Sequence, residues 1–240
     1  MGKLKTVLIL LLTVLLVICV AYLPRIVASV QDKGTMGEVH YGQTQSVQLE
    51  IREKVSSMGK LAMLGRLGGT IDIPDGKASM TREEVELAAM EALQPYVDAG
   101  LVSPFSVYSM DIRCVLGHTA IGPALSGIFW TVFLTGDEEG LFAADLIIDD
   151  ETGRLLHISI TDNFFAPAVG KAESLAIFAE LYFTGLDIPD YGQYATDHLD
   201  DWYIGENVEG VRYWFPETDY GEIFMDFYIH QYGFYNQIPG

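Results

Sequence analysis

The chain has 240 residues, of which 50% are hydrophobic, and its 33 acidic residues outnumber its 14 basic residues to give a net charge of −19. This balance argues against a nucleic-acid-binding protein, because contacts to phosphates need clustered lysine and arginine side chains. The two cysteines are Cys19, inside an apolar run, and Cys114, so no disulfide is expected after that run and stability has to come from a packed core.

The N-terminal apolar run, residues 7–23, is predicted to be a membrane anchor. It reads VLILLLTVLLVICVAYL, with Lys3 and Lys5 before it and Arg25 after it. As a helix it spans about 26 Å, close to the hydrocarbon thickness of a bilayer. The positive charges before the run favour a cytoplasmic N-terminus and place the chain after about Arg25 on the extracytoplasmic side.

Two alternatives to an uncleaved anchor remain open. A signal peptide has the same basic start, and cleavage at residues 19–21 or 27–29 would give a secreted protein. The apolar run is, however, longer than the core of about 7–15 residues that is typical of signal peptides. A lipoprotein signal ending at Cys19 is disfavoured, because Ile18 stands where that signal needs a small residue.

Acidic residues dominate the predicted ectodomain. All 33 lie after Arg25, whereas three of the 14 basic residues lie at or before it, so the chain after Arg25 has a net charge of −22. Residues 137–240 hold 21 acidic residues and three basic ones. Such charge keeps an exported protein soluble and away from anionic lipid headgroups. This explanation of the acidic composition is favoured over recognition of the charge by a binding partner.

The segment before residue 79 is predicted to be a tether followed by a helix. Residues 31–45 are polar and show no sustained apolar period. Apolar residues then recur at helical spacing over residues 46–62, with Ser46 as N-cap, and predict a helix that ends at residues 65–69. Residues 70–77 predict a short extended segment closed by the turn Pro74-Asp75-Gly76.

The strongest local signal is a capping box formed by Thr81 and Glu84, which predicts a helix that starts there and ends at a left-handed Gly100. After Pro104 the pattern alternates and predicts strands, with a loop over residues 117–127. Gly153 is predicted to take a positive φ in a tight hairpin. The predicted strands are residues 105–116, 128–135, 142–148 and 156–160.

Two features of this region resemble a PepSY-type repeat. They are the helix that opens with Thr81-Arg82-Glu83-Glu84 and a hairpin that reads LIIDDETGRLL over residues 146–156. The resemblance covers residues 79–161. It implies a small α+β module outside the membrane, of the kind found in protease propeptides and membrane-anchored regulatory proteins. It implies no catalytic residue, and a role in inhibiting or modulating a protein partner.

The final third is predicted to repeat this layout, as a hypothesis about architecture. Residues 170–185 predict a helix, and residues 208–215 and 222–232 predict strands. The predicted fold class is therefore α+β, with one N-terminal transmembrane helix and an ectodomain of helices packed on antiparallel sheet, in two αβββ-like units. The predicted domains are the anchor at 1–30, the tether and first helix at 31–78, and the two α+β units at 79–165 and 166–240.

The connection between the two units, residues 186–206, is long, aromatic and acidic, and a loop of this length is typically functional. Its carboxylates and imidazole are groups that bind metals or transfer protons. Their spacing matches no established metal motif, so neither a metal nor a cofactor is predicted. Asp149, Asp150 and Glu151 could hold calcium, but acidic hairpin turns are commonly explained by exposure to water, and that explanation is favoured here. The candidate binding residues are Tyr191, Tyr194, Asp197, His198, Asp200, Asp201 and Trp202.

No motif of a hydrolase, metalloprotease or nucleotide-binding enzyme is present. The sequence therefore predicts a binding or regulatory module that contacts another envelope protein, a protease or a membrane sensor. Residues 186–206 are expected to contribute aromatic anchors and carboxylates that steer a basic partner. The alternatives are a cell-envelope hydrolase or cation-dependent enzyme that uses the cluster from Asp197 to Asp201, and a structural envelope protein. Aromatics near the C-terminus could bind glycan or peptide, or pack in the core: Tyr213, Trp214, Tyr228, Tyr232, Phe234 and Tyr235.

Overall fold

A computed structural model describes residues 55–119, 125–136, 141–163, 169–198, 209–216, 218–230 and 233–239. The predicted anchor, the predicted tether and the start of the first predicted helix lie outside these ranges. Among the described residues, no helix has the length and hydropathy needed to cross a membrane.

Three helices and nine strands fall in the described ranges, and all nine strands form one antiparallel sheet with the order β1-β2-β3-β4-β5-β9-β8-β7-β6. The predicted class of helices packed on antiparallel sheet is confirmed. The helices are α1 (Ser57–Gly65), α2 (Arg82–Asp98) and α3 (Lys171–Gly185). The strands are β1 (Leu67–Asp72), β2 (Ser109–Thr119), β3 (Ser126–Thr135), β4 (Phe142–Asp149), β5 (Leu155–Asp162), β6 (Ala195–His198), β7 (Glu209–Phe215), β8 (Ile223–His230) and β9 (Gly233–Gln237).

Each long helix precedes a four-stranded meander, α2 before β2 to β5 and α3 before β6 to β9. The last strands of the two meanders pair with each other, with Ser159 opposite Tyr235 and Thr161 opposite Gly233. We call this β5–β9 pairing the seam. The strand predicted over residues 222–232 is wrong at its end, because β8 stops at His230 and the chain returns as β9 from Gly233, whose φ is +145°.

The hydrophobic core lies between the sheet and the two long helices. The Tyr96 ring of α2 lies 5.6 Å from Phe178 of α3 and 6.0 Å from Phe234 of β9. Phe227 of β8 lies 5.5 Å from Phe178 and 5.2 Å from Tyr182. Because all five rings are almost fully buried, both halves of the chain share one core.

The start of α2 is fixed as the sequence predicts. Thr81 and Glu84 form the reciprocal capping box, with backbone-to-side-chain bonds of 2.7 and 3.2 Å. Asp150 also holds the chain just before α2 in place, which the sequence did not indicate. Its carboxylate accepts hydrogen bonds from the backbone N–H groups of Ser79 and Met80 and from the Trp130 indole. The explanation that this turn is acidic because it faces water is wrong for Asp149 and Asp150, which are both 2% exposed, whereas Glu151 is exposed.

Two predicted boundaries are also corrected. The helix predicted to run from Ser46 is wrong at residues 55 and 56, because Ser56 is the N-cap whose hydroxyl accepts from the Gly59 N–H and α1 begins after it; residues 46–54 lie outside the described ranges. The loop predicted over residues 117–127 is wrong at both of its ends, because β2 continues to Thr119 and β3 starts at Ser126, with Gly117 paired to Gly127. A Cβ at Gly117 would lie 2.8 Å from Leu67 and 3.0 Å from Phe129, so this glycine accommodates close packing rather than a loop.

Gly153 has the predicted positive φ, at +67°. Gly153→Val is expected to lower the free energy of unfolding by about 1–3 kcal/mol, because a β-branched residue resists this conformation. The nearest atom to an added Cβ is 3.5 Å away, on Met80, so the cost comes from backbone strain. The matched control is Gly76→Val, where the added Cβ meets nothing within 4 Å and the urea midpoint should stay close to wild type. Equal midpoints for the two variants would contradict the prediction.

Candidate functional site

The face of the sheet opposite α2 and α3 carries a continuous row of side chains, which we call the cross-strand row. Strand pairing places its six members directly opposite one another on six adjacent strands, and facing residues in a sheet project to the same side. At about 4.8 Å between strands the row is about 24 Å long. Its members are Asp111, Phe133, Asp145, Ser159, Tyr235 and Tyr228.

The cross-strand row combines apolar and acidic groups. Phe133 is 49% exposed, and it lies between Asp111 and Asp145, whose side chains are also exposed. At the other end the rings of Tyr228 and Tyr235 stack with their centroids 4.9 Å apart. A large exposed aromatic ring among carboxylates is typical of a surface that binds another molecule.

A rigid ion pair lies beside the tyrosines. The Arg212 Nε and Nη2 atoms each donate to Asp226 at 2.6 Å, and the Tyr228 hydroxyl donates to the same carboxylate at 3.1 Å. Asp226 is 2% exposed, so this bidentate pair fixes the arginine geometry. Burial, and then the nearby Asp226 charge, raise the pKa of Tyr228 to about 12. Its phenol therefore stays protonated at neutral pH.

Two further aromatics extend this surface along β7 and β8. The rings of Trp214 and Phe224 are nearly parallel, 6° apart, with centroids separated by 6.3 Å. The Arg212 guanidinium lies 5.6 Å from the centre of the Phe224 ring, a distance at which a cation is attracted to the ring face. Trp214 is 37% exposed. We call Arg212, Trp214, Phe224 and the cross-strand row together the open face.

The structure describes residues 186–198 of the connection predicted over residues 186–206. A 3-10 turn at Tyr191–Tyr194 leads into β6. Tyr191 stacks on Phe183 with centroids 4.7 Å apart, and Tyr194 lies 4.6 Å from Phe215. Both tyrosines are half-buried, so they support the fold as well as reaching the surface.

The acidic part of the connection begins on an edge strand. The backbone of Asp197 pairs with that of Arg212, and His198 pairs with Val211. The connection therefore reaches the margin of the open face. The other predicted binding residues, Asp200, Asp201 and Trp202, lie outside the described residues, and their role stays a prediction.

Tyr194 also lines a cleft of about 610 Å³ at one end of α1. Apolar walls come from Met58, Ile188, Phe215 and two prolines, and Thr218 and Asp219 supply the polar atoms. A cleft of this size and lining can accept one or two apolar side chains.

Reactive groups are scarce in the part of the chain that the structure describes. It contains no cluster of three or more His, Cys, Asp or Glu side chains placed to hold a metal ion. Cys114 is buried, and its burial raises the thiol pKa to about 11, which leaves it protonated and weakly nucleophilic at neutral pH. The cluster of the enzyme alternative, Asp197 to Asp201, is only described at the backbone of its first two residues, and that alternative stays a prediction.

Sequence reasoning named some residues of the open face and missed others. Trp214, Tyr228 and Tyr235 lie on it, whereas Tyr213 and Phe234 are buried in the core. Phe133, Asp145 and the Arg212–Asp226 pair were missed. The alternation of Phe224, Asp226 and Tyr228 with buried Met225 and Phe227 was the available signal.

Comparison of the chain with protein-family models, with curated proteins and with solved structures gives no match.

Proposed function

We propose that the chain is a binding module, anchored in the membrane and exposed on its extracytoplasmic side, that contacts another envelope protein through the open face. The partner is a protease or a membrane sensor. The cross-strand row is the observation that supports this most strongly. Aromatic and arginine side chains are enriched at the centres of protein interfaces, and here they stand on a rigid sheet.

The proposed topology and architecture rest on the sequence. The apolar run at residues 7–23 is proposed as a single transmembrane helix, with residues after about Arg25 outside; release after signal cleavage is the alternative. The hypothesis that two α+β units arose by duplication is supported by the order of each half, a helix followed by a meander. Each meander has four strands, whereas the predicted αβββ-like units have three. The PepSY-like resemblance supports a regulatory role of the first unit.

The charge of the open face indicates a basic partner. Asp111 and Asp145 flank Phe133 on the cross-strand row, and the chain after Arg25 carries a net charge of −22. Exposed carboxylates steer a cationic surface during association, while buried aromatics supply most of the affinity. The association rate should therefore fall as salt rises, because exposed charges are screened beyond about 8 Å at physiological ionic strength.

The test is crosslinking of the full-length chain in cells, with a photoreactive amino acid at Phe133 or at Trp214. Both positions should capture the same discrete envelope protein, identified by mass spectrometry. Asp145→Lys should reduce the capture at Phe133 by reversing the local charge. Glu86→Lys makes the same charge change on α2, on the other side of the sheet, and should leave the capture unchanged.

The control position for the crosslinker is Ile71, which is 59% exposed and lies opposite Leu116, on the other face of the sheet. Equal capture at Ile71 would show that the open face is not a specific surface. If no position captures a protein while the purified chain hydrolyses an envelope substrate, and Asp200→Asn abolishes that activity, the enzyme alternative is correct.

A further inference from the structure

A groove of about 450 Å³ runs between α2 and α3, on the side of the sheet opposite the open face. The two helices lie side by side, in contact through Tyr96 and Phe178. Small residues of α2 face larger apolar residues across the groove and leave the space open. The apolar lining consists of Met80, Ala88, Ala92, Leu155, Leu181 and Tyr182.

One large apolar side chain stands exposed on the wall of the groove. Leu87 is 60% exposed, although the neighbouring α2 positions that face the core, Val85 and Ala89, are fully buried. Pro95 lines the same wall about two turns further on and is also exposed. An exposed leucine beside an apolar groove provides the contact area that a helical ligand uses as an anchor.

The charges around the groove are acidic. Glu84 and Glu91 line it directly, and α2 and α3 together carry seven acidic residues and two basic ones. The arginine at one end, Arg154, donates to the backbone carbonyl of Leu186 at 3.0 Å and lies 3.5 Å from the Asp187 carboxylate. Arg154 thus lies next to an acidic residue, and the carboxylates of Glu84 and Glu91 outnumber it along the groove, which presents a negative rim.

We propose that this groove is a second interaction surface, and that it binds an amphipathic basic helix of a protein partner. Its two walls are helices, whose backbone groups are already hydrogen-bonded internally. The groove therefore offers no backbone pairing to an extended peptide, which would leave its own amides unsatisfied on burial. A helix satisfies its amides internally, places apolar residues against Leu87 and Ala92, and sets lysine or arginine against Glu84 and Glu91.

A second copy of this chain is a poor occupant of the groove, because each exposed helix surface is itself acidic and like charges would oppose each other. An anionic lipid surface is opposed for the same reason. The proposal goes beyond the open face, since the two surfaces lie on opposite sides of the sheet. A module with both could hold two proteins at once.

The probe is a synthetic helical peptide of about five turns with leucine on one face and lysine and glutamine elsewhere. Its binding to the full-length chain in detergent micelles is followed by fluorescence anisotropy. We expect saturable binding that Leu87→Ser weakens about tenfold, the loss expected when an anchoring leucine is removed. Ile71→Ser is the matched control, because Ile71 is 59% exposed and lies away from the groove, and it should leave the affinity unchanged.

Charge is tested by a second matched pair of variants. The double variant Glu84→Gln and Glu91→Gln should weaken binding several-fold and flatten its salt dependence. The double variant Glu83→Gln and Glu86→Gln removes the same charge from exposed positions of α2 that do not line the groove, and should have a smaller effect. A peptide of the same length and charge, in which two central glutamines are replaced by prolines, should bind much more weakly.

Several outcomes would overturn the proposal. They are an unchanged affinity for Leu87→Ser, equal losses for the two glutamine variants, and equal binding of the proline-containing peptide. Sedimentation of the chain without peptide tests whether a second copy of the chain occupies the groove. A dimer that Leu87→Ser dissociates would show that the groove is filled by a second copy instead of a basic helix.

Discussion

Replacing Lys60 with methionine is expected to lower the free energy of unfolding by about 3–5 kcal/mol. The lysine is 4% exposed, and its Nζ donates to Asp149 at 2.5 Å and to Glu151 at 2.8 Å. Asp149 is 2% exposed. Without the ammonium its carboxylate keeps the Thr152 hydroxyl and the Glu151 N–H as donors but loses its countercharge, and an uncompensated buried charge is costly.

Urea unfolding of the full-length chain measures this effect. The double variant Lys60→Met and Asp149→Asn removes both charges and should regain part of the lost stability. Arg113→Met is the surface control, because Arg113 and Asp111 are 63% and 54% exposed and such a pair contributes little. If Lys60→Met leaves the urea midpoint unchanged, the lysine does not hold α1 against the turn between β4 and β5.

The turn that Lys60 contacts joins three parts of the fold. Asp149 binds the lysine of α1, and Asp150 binds the backbone just before α2 and the indole of Trp130 on β3. The carboxylates at this turn are therefore structural groups. The hairpin of β4 and β5 is thus the place where α1, α2 and the sheet are held together.

Much of the fold could be predicted because its signals are local. The capping box at Thr81, the positive φ at Gly153 and the alternation of β3 to β5 each depend on residues within a few positions of one another. The wrong predictions are at positions where the residue type depends on a contact with a residue far away in the sequence. Gly117 is a glycine because Leu67 and Phe129 pack against it, and the sequence near Gly117 shows only a run of turn-forming residues.

The open face was only partly predictable for the same reason. Alternation along one strand indicates which residues share a face, but the alignment of Phe133, Asp145 and Tyr235 depends on strand register. Register across the seam also depends on which strands of the two halves pair. In this chain the last strands of the two halves, β5 and β9, pair with each other. No pattern near Ser159 or Tyr235 indicates that they are paired.

A second large loss of stability is expected for a substitution at the seam. Gly233→Ala should lower the free energy of unfolding by about 4 kcal/mol or more. A Cβ at this position would lie 2.0 Å from the Ile160 carbonyl oxygen and 2.9 Å from its carbon. The φ of +145° adds strain for any L side chain. Since the contacted atoms are backbone, the clash is relieved only if β5 and β9 separate.

The control for this variant is Gly192→Ala, where the added Cβ meets nothing within 4 Å, and which should unfold near the wild-type midpoint. Unfolding is followed by tryptophan fluorescence and by far-ultraviolet circular dichroism. The two signals should coincide in Gly233→Ala, because Tyr96 contacts both Phe178 and Phe234 and thereby joins the halves in one core.

Hydrogen exchange gives the decisive comparison for Gly233→Ala, because it reports the two meanders separately. If the halves unfold as one unit, protection should fall by the same factor in β3 and β4 as in β7 and β8. Loss of protection in β7 and β8 alone would show that residues 171–239 fold independently of the first meander. An unchanged urea midpoint would contradict the seam itself, because the carbonyl of Ile160 could not then lie against the α-carbon of Gly233.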